Sequence, residues 1–190
     1  MSPGGHLVTT VAACTASLVL TRSVSAGDSL ALAAGIAAGG FLIDVDHAVD
    51  YLVFDRQRDL RPGAFLRYYL EGRVKRMVLA LHSFELFALI GLAAAWLDSL
   101  ALWGYLVGAL MHLALDIVFN GEYLSRSPVL FYSFVYRWAH GFDAEAMRKP
   151  REAFVTPAGF WPAFFVGARP VAEIVRAPSV APSRNIQITT

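Results

Sequence analysis

Cysteine and charge are both scarce in this chain. Of its 190 residues only one, Cys14, is a cysteine, and only 16% are charged. A lone cysteine excludes an internal disulfide and any zinc site built from several cysteines. The formal net charge of +1 gives no sign of nucleic-acid binding, and no nucleic-acid partner is expected. At this length, and with no internal repeat, one domain is expected.

Hydrophobic residues are abundant instead. They make up 56% of the chain, more than is usual in a soluble domain. They are concentrated in runs typical of membrane-spanning helices. The predicted spans are residues 7–20, 29–43, 77–97 and 100–119. The sequence therefore predicts an all-α integral membrane protein of about four transmembrane helices, within one membrane-embedded domain over residues 1–176.

Three further segments lie outside the predicted spans. Residues 62–76 set aromatic side chains among basic ones, and residues 129–167 are aromatic and interrupted by proline, so both are predicted to form interfacial helices. Residues 177–190 are rich in proline and serine, which is typical of a disordered tail. A signal peptide is the alternative for the first run, because Val24-Ser25-Ala26 resembles a cleavage site. Cleavage there would remove His6.

Basic residues predict the orientation. The loop between the second and third spans carries Arg56, Arg58, Arg61, Arg67, Arg73, Lys75 and Arg76. Because basic residues favour the cytoplasmic side, this loop is predicted to be cytoplasmic. With four spans, both termini lie on the same side. A multi-pass protein in the cell membrane, with membrane lipid as a partner, is expected.

The second span ends in an unusual group of ionisable residues, Asp44, Asp46 and His47. Placing a charged side chain at the centre of a bilayer costs roughly 2.5–3.5 kcal/mol, so a cluster of them calls for a functional explanation. Later spans repeat the pattern. His112 and Asp116 are four residues apart and share one helix face. The predicted topology brings all of these groups to the cytoplasmic side.

Neutral histidine and ionised aspartate are ordinary ligands of zinc and other divalent ions. The predicted metal ligands are His6, Asp44, His47, His82, His112 and Asp116. Zinc is the expected metal, with manganese or iron as alternatives. Asp46 is interpreted as a catalytic base, a bridging ligand or a partner that orients a ligand. Glu85, three residues after His82, is interpreted as a catalytic base, with a ligand or ion-pair role as the alternative.

These residues resemble a known family. His6, the Asp44-x-Asp46-His47 end of the second span, the His82-Ser83 pair and His112-x-x-x-Asp116 resemble the predicted membrane-bound metal-dependent hydrolases of bacteria, the YdjM-like family. The resemblance covers about residues 1–120. Members are thought to be distantly similar to zinc-dependent phospholipase C and P1-type nucleases, which are helical enzymes that cleave phosphate esters.

The resemblance implies a function and a location. It implies a hydrolase of the bacterial inner membrane that acts on a phosphoester or another ester of a small-molecule or lipid-like substrate at the cytoplasmic face. Members often carry an additional His-Arg element before the third-span histidine, where this chain reads Lys75-Arg76-Met77-Val78. That departure suggests that Glu85 replaces a lost ligand.

Two other function classes stay open from the sequence. The cluster could hold a metal without catalysis, or it could conduct ions or protons, because intramembrane histidines and carboxylates also mark such pathways. A third reading is an assembly protein with a structural polar core. The nearly uncharged outer halves of the second and fourth spans argue against conduction.

Overall fold

The computed structural model describes residues 1–124, 127–149 and 154–170, with the backbone alone at 120–124 and at 170. The described chain is mostly helical, which confirms the all-α prediction. Its helices are α1 (Pro3–Leu20), α2 (Ala26–Gly40), α3 (Val45–Val49), α4 (Pro62–Leu70), α5 (Phe84–Leu97), α6 (Leu100–Leu124), α7 (Pro128–Phe131), α8 (Phe134–Ala139), α9 (Ala144–Met147) and α10 (Phe160–Val166). Two-residue strands β1 (Phe154–Val155) and β2 (Arg169–Pro170) pair antiparallel.

Fewer helices than predicted have the length and composition of a membrane span. Among the described residues, α1 and the Leu100–Phe119 part of α6 qualify alone. A third span is present if α2 and the following Leu42–Phe54 stretch, bent by 43°, are taken together. The predicted third span, residues 77–97, forms a helix only from Phe84. The resulting 14-residue helix is roughly 21 Å long, shorter than the ~30 Å hydrocarbon core.

The predicted surface helices are also shorter than expected. The helix expected over residues 62–76 ends at Leu70 and is followed by Gly72 with a positive φ of 58°. The segment expected to be helical over residues 129–167 is divided among α7 to α10 and strand β1, and β2 follows it. The predicted disordered tail at 177–190 lies outside the described residues.

The second apolar run bends where its ionisable residues begin. Helix α2 ends at Gly40, and a 3-10 turn (Leu42–Asp44), α3 and a π-helical turn (Asp50–Phe54) follow in succession. The predicted second span, residues 29–43, is therefore regular α-helix only as far as Gly40. The break turns the Asp44–His47 stretch away from the axis of α2.

Helices α2 and α6 form the most extensive helix pair among the described elements. Glycines allow their backbones to touch. A Cβ atom at Gly39 would collide with the Tyr105 carbonyl oxygen, and one at Gly108 would collide with the Ile36 carbonyl oxygen. Small residues at such crossings let membrane helices approach closely. The close approach places His112, one turn after Gly108, beside the end of α2.

Candidate metal centre

The structure brings all six predicted ligands and Asp46 into one cluster. Its members come from five separate parts of the chain: α1, the turn after α2, α3, the segment before α5, and α6. Three overlapping groups have potential ligand atoms that lie within 4.8 Å of one another. They are His6 with His112 and Asp116, Asp44 with His82 and His112, and Asp46 with His47 and His82. These buried groups could therefore bind a metal ion.

The central group has the dimensions of a coordination shell. The His82 Nε2 and His112 Nε2 atoms are 3.3 Å apart, and Asp44 Oδ1 lies 3.4 Å from each of them. Ligands placed about 2.0–2.1 Å from a tetrahedral zinc ion are separated by about 3.3–3.4 Å. The three atoms thus match one face of such a tetrahedron.

Hydrogen bonds on the far side of both imidazoles fix their tautomers. His112 Nδ1 is 2.9 Å from the Gly40 carbonyl oxygen, which can only accept a hydrogen bond. His82 Nδ1 is 3.0 Å from Asp46 Oδ2. Each neutral ring therefore carries its proton on Nδ1 and directs a lone pair from Nε2 at the other ring and at Asp44. Three facing lone pairs repel one another, and a cation or an extra proton must lie among them.

The remaining predicted ligands flank this triangle. Asp116 Oδ2 is 3.3 Å from His112 Nε2, while its Oδ1 is 2.9 Å from His6 Nε2. The His6 ring stacks on the His112 ring with centroids 3.8 Å apart. On the other side, His47 Nε2 is 3.5 Å from Asp44 Oδ1. The cluster thus offers donors for more than one ion, although His112 Nε2 can serve only one of them.

Asp46 is placed to position a ligand. Its carboxylate contacts His82 Nδ1 through both oxygens and also accepts a hydrogen bond from the Leu81 N–H at 2.9 Å. Only 4% of the residue is exposed. Of the three roles open from the sequence, orientation of a ligand fits best, because a carboxylate behind a metal-binding histidine fixes its tautomer. The predicted role as a catalytic base does not fit this placement.

Glu85 does not join the cluster. Its carboxylate accepts hydrogen bonds from the Ser133 hydroxyl and from the N–H groups of Phe134 and Val135, at the start of α8. The predicted roles of Glu85 as a catalytic base or replacement ligand therefore do not fit the structure. Its place in the first turn of α5 brings it to the N-terminus of α8 instead.

A row of carboxylates that sequence reasoning missed holds the segment that carries His82. Asp50 accepts hydrogen bonds from the Val78 and Leu79 N–H groups, and Asp55 accepts them from Lys75 and Arg76. Asp46, Asp50 and Asp55 recur about once per turn, which places them on one side of the bent helix. Residues 75–81 are thereby held outside any helix, with Leu79 at a positive φ of 44°, and this accounts for the late start of α5. The spacing of the three aspartates was the available signal.

Arg137 holds the same segment from its other side. The guanidinium is fully buried and donates to the carbonyl oxygens of Val78, Leu79, Phe131 and His82. Burial lowers the pKa of Arg137 to about 10, so the group stays protonated at neutral pH. A buried charge requires such dense hydrogen bonding to offset its lost hydration. Nothing in the sequence around Arg137 indicates this role.

A cavity of about 1010 Å³ opens directly onto the cluster. His6, Asp44, His47, His82 and Asp116 line one part of it. Asp44, whose side chain is 30% exposed, is more open to the cavity than the other central ligands, since His82 and His112 are each 1% exposed. Tyr69 of α4 also lines the cavity and donates a hydrogen bond to the His47 carbonyl oxygen.

Comparison with family models, with curated proteins and with solved structures finds no match to this chain. The chemistry of the cluster therefore follows from its own geometry. A compact set of imidazoles and carboxylates beside a large cavity can hold a divalent cation and present it to a bound molecule. The metal's identity is not fixed by these donors, because zinc, manganese and iron all accept imidazole and carboxylate ligands.

Proposed function

We propose that this chain is a metal-dependent hydrolase of a bacterial inner membrane, which cleaves a phosphoester or another ester of a lipid-like substrate at the cytoplasmic face. The observation that carries the proposal is the triangle formed by Asp44, His82 and His112, whose lone pairs converge 3.3–3.4 Å apart beside a cavity. The three facing lone pairs would all be satisfied by a single divalent cation.

The residues divide into binding and positioning roles. Asp44, His82 and His112 would hold a divalent ion, with Asp116, His47 and His6 around them. Such an ion lowers the pKa of a coordinated water to about 7 and polarises an ester oxygen. Asp44 is the central carboxylate most open to the cavity, so it takes the role of proton acceptor that the sequence had suggested for Glu85 and Asp46. Asp46 and the Gly40 carbonyl keep the two imidazoles in their ligating tautomers.

The resemblance to YdjM-like hydrolases supports the same chemistry. All the residues that carry the resemblance lie in the cluster or directly beside it, including the buried Ser83. Zinc is the proposed metal, with manganese or iron as alternatives. Four spans with both termini in the cytoplasm remain part of the proposal, and this topology would place the cluster near the cytoplasmic leaflet.

A non-enzymatic metal site is the main alternative, and conduction of ions or protons is the other. The cluster lies at one end of α2 and α6, while residues 29–40 and 100–111 contain no charged side chain. A conducting pathway would need polar steps along that length. A metal site with only a structural role would not need the adjoining cavity. Both observations favour hydrolysis.

The proposal is tested first by metal content. Elemental analysis of detergent-purified protein should find about one or two equivalents of zinc, manganese or iron, and Asp44→Ala and His112→Ala should lose them while remaining folded. His140→Ala is the matched histidine control, since its Nδ1 is 2.8 Å from the Tyr136 carbonyl oxygen and the residue lies outside the cluster. Metal-loaded wild type should then hydrolyse a chromogenic phosphoester. A folded wild type that binds no added zinc, manganese or iron would refute the proposal.

A further inference from the structure

The cavity beside the metal centre is far larger than a phosphate group requires. At about 1010 Å³ it lies at the upper end of the ~300–1,000 Å³ range of small-molecule sites. A phosphate held on the central ligands would occupy only the part of the cavity that His82 and Asp44 line. Most of the volume is thus available to another portion of the same ligand.

That remaining volume has apolar walls. Phe65, Leu66 and Leu70 of α4 line it, and so do Phe164 and Val166 of α10. These two helices pack against each other, and α10 also packs against α1, so together they form one wall of the cavity. Such walls gain free energy from covering a hydrocarbon and offer little to a sugar or a nucleobase.

Two cationic side chains also line the cavity. Arg148 and Lys149 both line it. In the part of the chain that the structure describes, no other arginine or lysine lines this cavity. Two cationic side chains, together with a divalent ion at the cluster, would favour an anionic head group over a neutral ester. One ligand class combines these features: an anionic phosphate joined to an alkyl chain.

We infer that the chamber between α4 and α10 holds the hydrocarbon chain of a phosphate-headed amphiphile whose head group lies at the metal centre. The metal-bound end rests on the proposed function, whereas the chain-binding chamber stands on the apolar walls alone. The chain lies along Phe65, Leu66 and Phe164, and the phosphate faces Asp44 and His82. A soluble phosphoester would use only the polar end and would bind more weakly.

Alkylphosphonates test this directly. Their anionic phosphonate group resembles phosphate, and it is joined to the alkyl chain by a P–C bond that is not hydrolysed. The experiment titrates zinc-loaded protein in detergent with ethyl-, butyl- and hexylphosphonate by calorimetry. These chains are short enough to remain in water. The dissociation constant should fall about two- to fourfold for each added methylene; fourfold corresponds to full burial at about 0.8 kcal/mol.

A pair of matched variants locates the chain. Val166 and Val155 are exposed by 45% and 48%, so each can accept a larger side chain, but only Val166 lines the cavity. Val166→Trp should remove most of the gain from ethyl to hexyl while leaving ethylphosphonate binding unchanged. Val155→Trp should behave as wild type. His112→Ala should weaken all three phosphonates by a similar factor and preserve the gain for each methylene.

The outcomes separate this inference from the proposed function. Equal affinity for all three phosphonates, or no binding, would overturn the inference even if a soluble phosphoester were hydrolysed. A gain that Val166→Trp leaves intact would place the chain elsewhere and overturn it as well. A chain-length gain without any hydrolysis would support the inference and count against the hydrolase. A chamber filled by a second copy or by another segment of this chain would give no gain.

Discussion

Replacement of Asp46 by asparagine should weaken metal binding without removing a metal ligand. Both Asp46 oxygens contact His82 Nδ1, at 3.0 and 3.1 Å, and one also accepts from the Leu81 N–H. Asparagine keeps the shape but supplies one acceptor oxygen and no charge. The hydrogen bond to His82 would then fall from the charge-assisted range of about 1.5–3 kcal/mol to about 0.5–1.5 kcal/mol.

The expected loss of zinc affinity is 10- to 100-fold, the usual effect of changing a residue that orients a ligand. At 25 °C this corresponds to about 1.4–2.7 kcal/mol. Competition with a chromogenic zinc chelator in detergent measures it. Protein folding should be checked beforehand by size exclusion and circular dichroism.

Asp55→Asn provides the matched control. Asp55 also accepts hydrogen bonds from N–H groups of residues 75–81, at Lys75 and Arg76. Its carboxylate accepts a further hydrogen bond from the Tyr68 hydroxyl. Among the described residues the Asp55 carboxylate contacts no imidazole. Asp55→Asn should therefore lower stability without changing zinc affinity by more than about twofold. If both variants lost zinc equally, or if Asp46→Asn bound zinc as wild type does, the assigned role of Asp46 would be refuted.

Three further substitutions test the frame around the centre. Glu85→Gln should leave metal content unchanged and lower the free energy of unfolding by about 1–2 kcal/mol. The reason is that it weakens the hydrogen bonds from Ser133, Phe134 and Val135. Loss of metal in this variant would restore Glu85 as a ligand. Arg137→Met should lower the free energy of unfolding by at least ~3 kcal/mol, because several buried carbonyls lose their donor. Arg137→Lys should have a stability between that of Arg137→Met and that of wild type, as measured by thermal unfolding in detergent. A mild effect would show that water reaches that segment. Gly39→Ala should lower the free energy of unfolding by about 1–3 kcal/mol and reduce zinc affinity, because it separates α2 from α6. Gly63→Ala, at a position where the described residues leave open space, should change neither stability nor zinc affinity.

Much of the centre could be predicted from the sequence because few other residues offer the required chemistry. Burial of a histidine or aspartate in an apolar chain is energetically costly, so His82, His112 and Asp116 stood out in the sequence. The structure brings these three residues together with His6, Asp44 and His47. The glycines of the second run, among them Gly35 and Gly39, are typical of close helix packing. The helix opposite them, α6, brings Gly104 and Gly108 to the same contact.

The errors came from contacts between segments distant in the chain. Hydropathy extended the third predicted span back to Met77. Five N–H groups of residues 75–81 instead bond to Asp55, Asp50 and Asp46, and the helix begins only at Phe84. The same contacts bury Asp50, which is 2% exposed. Arg137 lay far along the chain among aromatic residues, and its buried role depends on four carbonyls supplied by tertiary structure.

The π-helical turn at Asp50–Phe54 has a consequence for tolerance to changes in length. The step from Asp46 to Asp50 is four residues, but the step from Asp50 to Asp55 is five, and the wider turn absorbs the additional residue. An ordinary α-helix repeats every 3.6 residues, so it would place two aspartates four residues apart on the same side equally well. A chain lacking Val53, which is 59% exposed, should therefore form regular helix there and still bring its last aspartate to the same N–H groups. Deletions are rarely tolerated within a helix that supports a metal centre. This turn is the position where deletion of a single residue should be tolerated.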